Sequence, residues 1–322
     1  MKSLRLLTWP DYIDPLTLEQ FEHEFNTKVE LEIVPSAAEL IERMRADGPA
    51  IDVLCPPDYA VRELGAERRL RTLDHTCLPN LSHLENRFRQ ARAHDPESRV
   101  SVIKDWGTTG FMYRTDIVPE TPQSWADFWT LTEKYTGLAT VLDSPGEVIG
   151  AALKMRGHSY NAWGEAELAV ARLDLLRLEL RLRAFETNYK PLLASGEACL
   201  SLGWNGDAAA LKAQGVPIRY VIPSEGSQLW EDDWAVAQCS SEPEMAHDFL
   251  NFVLRPEIAA QEARYTRYAT GNRAARALLD EELRSDPSTY PPDDVLQKLE
   301  AGAPLPPEGQ KRRDQLWQDV RG

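Results

Sequence analysis

The chain has 322 residues, a formal net charge of −15, and 43% hydrophobic and 27% charged residues, the mixture of a globular protein with room for two cores. The negative balance argues against a nucleic-acid partner, which needs clustered Lys and Arg. No run approaches the ~18–20 apolar residues of a membrane helix.

Met1-Lys2-Ser3-Leu4-Arg5 enters a strand-like segment at once, without the pattern of a secretory signal. The expected compartment is therefore cytoplasmic, or periplasmic or cell-surface if a signal has been removed. Cys55, Cys77, Cys199 and Cys239 show neither C-x-x-C spacing nor metal-like pairing with the six histidines, so no metal and no cofactor are expected. Cys55 and Cys199, in apolar runs, read as buried free thiols.

Leu4–Thr8 reads as a strand ending at Trp9-Pro10-Asp11-Tyr12. Asp14-Pro15 supplies an N-cap and a first-turn proline to a helix carrying Leu18, Phe21 and Phe25 inward. Val29–Val34 alternates as a strand. Ser36-Ala37-Ala38-Glu39 has the form of a capping box for a helix with Leu40, Ile41 and Met44 on one face. Ile51–Cys55 is a short strand stopped by Pro56-Pro57. This β-α-β-α-β order predicts a mostly parallel sheet, with ligands gathering beyond the carboxyl ends of its strands. Trp9-Pro10-Asp11-Tyr12 and Pro56-Pro57-Asp58-Tyr59 both lie at such ends.

Val100–Thr109 reads as a strand leaving this first lobe. Ser124-Trp125-Ala126-Asp127 caps a helix of a second α/β unit. The strand Ala139–Leu142 ends at Asp143-Ser144-Pro145-Gly146-Glu147, where Glu147 opens a helix closed by Gly157. Leu and Ala at three- and four-residue intervals predict an amphipathic helix over Glu165–Arg183. The strand Ala198–Gly203 ends at Trp204-Asn205-Gly206-Asp207, followed by an Ala-rich helix stopped by Gly215 and a strand over Ile218–Ile222. Ser241-Glu242-Pro243-Glu244 caps a helix carrying Met245, Phe249, Phe252 and Val253.

Between these lies Gln228-Leu229-Trp230-Glu231-Asp232-Asp233-Trp234, with two indoles around three consecutive carboxylates. A carboxylate answers an organic cation's charge, and ring faces attract a desolvated ammonium by roughly 0.5–2 kcal/mol each. The same stretch also fits two core indoles around a solvated acidic turn. Tyr12, Tyr59 and Tyr268 fit ordinary amphipathic surface aromatics, and Trp204 a core plug. Recurrence favours a ligand: four predicted strand ends carry an aromatic, an acid or both.

The motifs Trp9-x-Asp11-Tyr12, Asp52-x-x-x-Pro56-x-x-Tyr59, Trp106-Gly107-Thr108-Thr109-Gly110, Gly203-Trp204-Asn205-Gly206 and Trp230-x-Asp232 stand in this order, followed by Phe249–Pro256 and Asn272-x-Ala274-Ala275. Over nearly the whole chain the sequence resembles the periplasmic polyamine-binding proteins (spermidine/putrescine type) of bacterial ABC importers. The resemblance implies an α/β, two-lobed, type II-like binding-protein fold, each lobe a mixed sheet flanked by helices, with hinge strands crossing between them. It implies a first lobe of residues 1–107 with 231–276, a second of 108–230 with 277–322, and a ligand cleft between them. The aromatic box would fall on Trp9, Tyr12, Tyr59, Trp204, Trp230 and Tyr268, and the amine-binding acids on Asp232 and Glu147, with Asp11 contributing. Ser144 stands where spermidine binders carry an acid, although Asp143 adjoins it.

The implied partners are a polyamine-like organic cation and an importer permease, with the protein itself a monomer. A diamine, a guanidino compound or an amino acid-like cation fits the reduced carboxylate count. The alternative class is a carbohydrate-active enzyme using Glu147 and Asp232 as its carboxylate pair. Against it, the chain carries no nucleophile elbow, phosphate loop or metal motif, so a non-catalytic binder is expected.

Overall fold

In a computed structural model describing residues 2–90 and 92–322, ten strands are found among the described residues. They are β1 (Lys2–Thr8), β2 (Thr27–Ile33), β3 (Val53–Leu54), β4 (Ser101–Arg114), β5 (Ala139–Val141), β6 (Leu182–Phe185), β7 (Leu200–Trp204), β8 (Ile218–Val221), β9 (Gln228–Val236) and β10 (Glu300–Ala301). The chain divides into two compact units, Met1–Trp106 with Glu231–Ser285, and Gly107–Trp230 with Asp286–Gly322. β4 and β9 each begin in one unit and end in the other. Residues 277–285, assigned by resemblance to the second lobe, pack in the first unit. Leu279 and Leu283 are buried there, and the Arg264 guanidinium donates to the Leu278 carbonyl.

The first unit is built on the sheet β2-β1-β3-β9. β1 pairs in parallel with β2 over its whole length and with β3, while β3 runs antiparallel to β9. The crossover from β1 to β2 is the helix Pro15–Phe25, where the Asp14 carboxylate accepts from Leu16 N and Asn26 closes the helix with φ 48°. Its Phe21 lies edge-on to Phe249 and Phe252 of the helix Pro243–Val253. Ser36 accepts from Glu39 N at the start of the helix Ala37–Arg45, which buries Leu40, Ile41 and Met44. Ser241 does not cap the helix it precedes: Glu242 holds that position, with no side-chain bond to the helix end.

In the second unit β4 pairs antiparallel with β7 and β8, and β5 runs parallel to β6 and β7. Its core gathers Phe111, Trp125, Phe128 and Ile149. Ser124 and Asp127 form a complete capping box on the helix Trp125–Lys134. The amphipathic helix is shorter than its leucine spacing predicts, running only over Glu165–Glu179. From Leu180 the pattern Leu-Arg-Leu-Arg alternates by two, and the chain turns into β6 as a partner of β5. All four cysteines are free thiols, and Cys55 and Cys199 are buried.

Two glycines of the second unit let aromatic rings approach the backbone closely. A Cβ on Gly107 would lie 2.3 Å from the Trp230 ring, and one on Gly150 would lie 2.3 Å from the Tyr160 ring.

Candidate functional site

Strand geometry sorts the three consecutive acids of β9. Successive side chains point to opposite faces, so Asp232 is separated from Glu231 and Asp233. Asp232 Oδ2 lies 2.7 Å from the Tyr12 hydroxyl, which is also 2.6 Å from Asp105 Oδ1. The Tyr268 ring meets the Tyr12 ring edge-on, with centroids 6.0 Å apart. Burial, with Asp105 next to it, drives the Asp232 carboxyl well above the usual carboxylate range. Burial likewise drives the Tyr12 phenol up, so it keeps its proton.

Asp105 and Lys104 were not singled out from the sequence. Both are buried in β4, where the Lys104 ammonium sits 2.6 Å from Asp105 Oδ2 and 3.9 Å from the centre of the Tyr12 ring. The available signal was two adjacent charges set between the apolar Val102-Ile103 and Trp106, since such residues are rarely buried unless paired. One cation–π position of the first unit is thus filled by the protein's own ammonium.

The other face of β9 is a closed ionic network. Arg92 Nη1 donates to both Asp233 oxygens at 2.5 Å, and Ser101 Oγ donates to Asp233 Oδ2 at 2.6 Å. His94 Nε2 is 2.9 Å from Asp233 and 3.9 Å from Glu231. Burial alone would raise the Asp233 carboxyl, but Arg92 and His94 outweigh it and hold it down at about 2. Burial with Asp233 nearby lifts Glu231 to about 7, and burial lifts the neighbouring Asp58 to about 6. His94, Glu231 and Asp233 bring three potential metal-ligating atoms within 4.8 Å of one another. The Arg92 guanidinium already supplies that set's positive charge. Trp234 belongs to the core, buried edge-on against Phe249.

The remaining first-unit candidates are more exposed. Asp11 is exposed, with φ 53°. Trp9 is half-buried against the core around Leu7 and Leu54, and Tyr59 is 43% exposed at the start of the helix Asp58–Ala66.

In the second unit Glu147 lies in the first turn of the helix Pro145–Met155. Trp204 Nε1 donates to Glu147 Oε1 at 3.1 Å, and the Tyr160 hydroxyl is 3.0 Å from Glu147 Oε2 and 2.9 Å from Gln228 Oε1. Burial raises the Glu147 carboxyl against these donors. Trp230 is buried beside Gly107 and Asn205, whose side-chain oxygen accepts from Thr108 N. Ser144 precedes the helix with no capping bond from its hydroxyl. Asp143 is exposed and paired with Arg321 at 3.0 Å, so the C-terminal helix Pro307–Arg321 supplies its counter-ion. The structure therefore brings together Tyr12, Asp232 and Tyr268 in one unit, and Glu147 and Trp204 in the other.

Two α/β units joined by shared strands, with aromatic-flanked carboxylates on each, define the class of two-lobed solute-binding proteins. The family model described as bacterial extracellular solute-binding protein matches residues 17–291, and the chain belongs to that family. It is 30% identical to the putrescine-binding periplasmic protein PotF of Escherichia coli, over 99% of this chain and 91% of that protein. It is 32% identical to the spermidine/putrescine-binding periplasmic protein of Salmonella typhimurium, over 92% of this chain and 86% of that protein. A solved structure described as a putative spermidine/putrescine ABC transporter from Listeria monocytogenes matches with a TM-score of 0.93 and 30% identity, covering 100% of this chain and 99% of that one.

Proposed function

We propose that the protein binds a short polyamine or a similar organic cation outside the cytoplasm and delivers it, as a monomer, to the permease of an ABC importer. The observation that carries this reading is the Asp232 carboxyl held against Tyr12 and flanked by Tyr268. A desolvated ammonium requires a carboxylate beside it and gains from ring faces around it. The names of the relatives point to the same ligand class.

In the proposed mechanism Asp232 anchors one ammonium, and Glu147 with Trp204 takes the other end of the same ligand. A ligand that engages both units favours the arrangement in which both contacts are made. Trp9, Tyr59 and Trp230 complete the aromatic lining. The proposed role is carriage, so ligand leaves unchanged. Native mass spectrometry of the purified protein, followed by calorimetric titration with putrescine, spermidine, agmatine and basic amino acids, tests the reading. Sub-micromolar binding of an amine supports it; binding of neutral sugars alone, or recovery of a converted ligand, overturns it.

A further inference from the structure

Three oxygens in the first unit share too few protons for two carboxylates. Tyr12 Oη lies within hydrogen-bond distance of both Asp105 Oδ1 (2.6 Å) and Asp232 Oδ2 (2.7 Å), yet a phenol has one hydrogen. If that hydrogen goes to one acid, the other contact needs a proton from a carboxyl group. Asp105 is not its source, because its second oxygen already accepts from the Lys104 ammonium at 2.6 Å. The proton therefore sits on Asp232, which donates to Tyr12, which donates in turn to Asp105. The raised carboxyl of Asp232 agrees with this order.

We propose that Lys104 and Asp105 are affinity-setting residues of the anchor: the Asp232–Tyr12–Asp105 chain stores one proton in the empty protein, and a bound ammonium displaces it. This rests on the amine-binding reading of the site. In the step, the Asp232 O–H bond breaks and its proton passes to solvent. The carboxylate so formed accepts an N–H of the ligand, while Tyr12 keeps its proton. The anchor thus exchanges one positive charge for another, with Lys104 and Asp105 cancelling one another throughout.

The groups around Asp232 permit this. Asp105 and Lys104 face it from β4, Tyr12 from the loop after β1, Asp58 from the helix Asp58–Ala66, and Cys55 from the end of β3. Tyr268 adjoins Tyr12, and Glu262 of the helix Pro256–Thr266 faces Lys104. Lys104 is the cation among these neighbours, and Asp105 engages it at contact distance. No second internal cation among them replaces the proton on Asp232.

Calorimetry of the intact protein with putrescine, and separately with spermidine, tests this near neutral pH in phosphate and in Tris, whose ionisation heats differ. The native protein should release about one proton per amine bound, and its affinity should fall roughly tenfold per pH unit below the Asp232 titration. In Asp105→Asn, Asp232 sits beside Lys104 without a competing anion and is ionised when empty. That variant should bind with the same heat in both buffers and with an affinity insensitive to pH. Amine binding to the native protein with equal heats in both buffers overturns this inference and leaves the amine reading intact. Unchanged proton release in Asp105→Asn overturns it too, and absence of binding by any amine removes both.

Discussion

Asp232 and Asp233 are adjacent on β9, yet one shares a proton-bearing chain with Tyr12 and the other lies between Arg92, His94 and Ser101. The pleat places one in the proposed amine anchor and the other in the closed ionic network. Substitutions should separate them. Asp232→Asn should weaken amine binding more than tenfold while leaving the unfolding midpoint nearly unchanged. Asp233→Asn should cost about 3–5 kcal/mol of stability, because it removes one of the two buried carboxylates, Asp233 and Asp95, that pair with the fully buried Arg92 guanidinium. Paired calorimetry and urea titration distinguish the two outcomes; equal binding losses without loss of stability would merge the roles.

The stability of the first unit should depend on pH in both directions. Asp233, depressed from 3.8 to about 2, contributes stability that is complete above pH 3.8 and lost as pH falls through 2. Glu231 and Asp58 are raised, to about 7 and about 6, so their contribution is present at low pH and lost as pH climbs from their unfolded values of 4.5 and 3.8 through those points. Urea unfolding should therefore show a maximum on the acid side of neutrality. Glu231→Gln should make the neutral limb shallower, with the raised Asp232 and Glu262 carrying the rest of it, and Asp233→Asn should flatten the acid limb. A stability that rises steadily from about pH 5 to about pH 8 would contradict this.

Glu147→Gln keeps an acceptor for Trp204 Nε1 and turns an amide donor towards the Tyr160 hydroxyl oxygen, but removes the charge. It should lower amine affinity at least tenfold, in line with the roughly 2–5 kcal/mol cost of truncating one partner of a buried charge pair. Saturating amine should reduce the radius of gyration of the native protein in small-angle scattering, and reduce it less for Glu147→Gln. Tryptophan emission should change in parallel, through Trp204. A radius unaffected by proven ligand would remove the two-unit mechanism.

In the proposed site Ser144 sets the charge count. With Asp143 held by Arg321, the second unit offers Glu147 as its buried carboxylate for the amine, so putrescine should bind more tightly than spermidine. Ser144→Asp should shift the ratio of the two affinities towards spermidine. A native preference for spermidine would refute this account of selectivity.

Gly107→Ala should cost about 1–3 kcal/mol through overpacking against Trp230. Trp230→Phe should recover part of that loss, because the added methyl points at indole atoms that phenylalanine lacks. Thermal unfolding of the two single variants and the double variant gives the coupling.

Much of the framework was legible because it rests on local chemistry: the Asp14 and Ser124 caps, the closing positions of Gly157 and Gly215, and the opening β-α-β-α-β order. β6 was not, because Leu178, Leu180 and Leu182 continue a helical leucine pattern into an alternating one, and pairing with β5 decides between them. The acidic stretch gave the right residue types without their directions; only once it is a strand does Asp232 part from its neighbours. Tyr12 and Asp232 stand 220 positions apart, so resemblance named them while proximity came from the fold. The Lys104–Asp105 pair was not legible as part of the site because its charges lie within a strand, whereas the other candidates stand at strand ends.

The interleaving of the two units also dictates an order of assembly. β3 waits for Val236 and Ala235 of β9, and Phe21 waits for Phe249 and Phe252, so the first 106 residues cannot finish their core when they leave the ribosome. The second unit in turn keeps Leu316 and Val320 of its last helix in its core. Neither can close until most of the chain has been made. Completion of both cores thus rests on contacts between segments far apart in the chain, the kind of long-range pairing that slows folding.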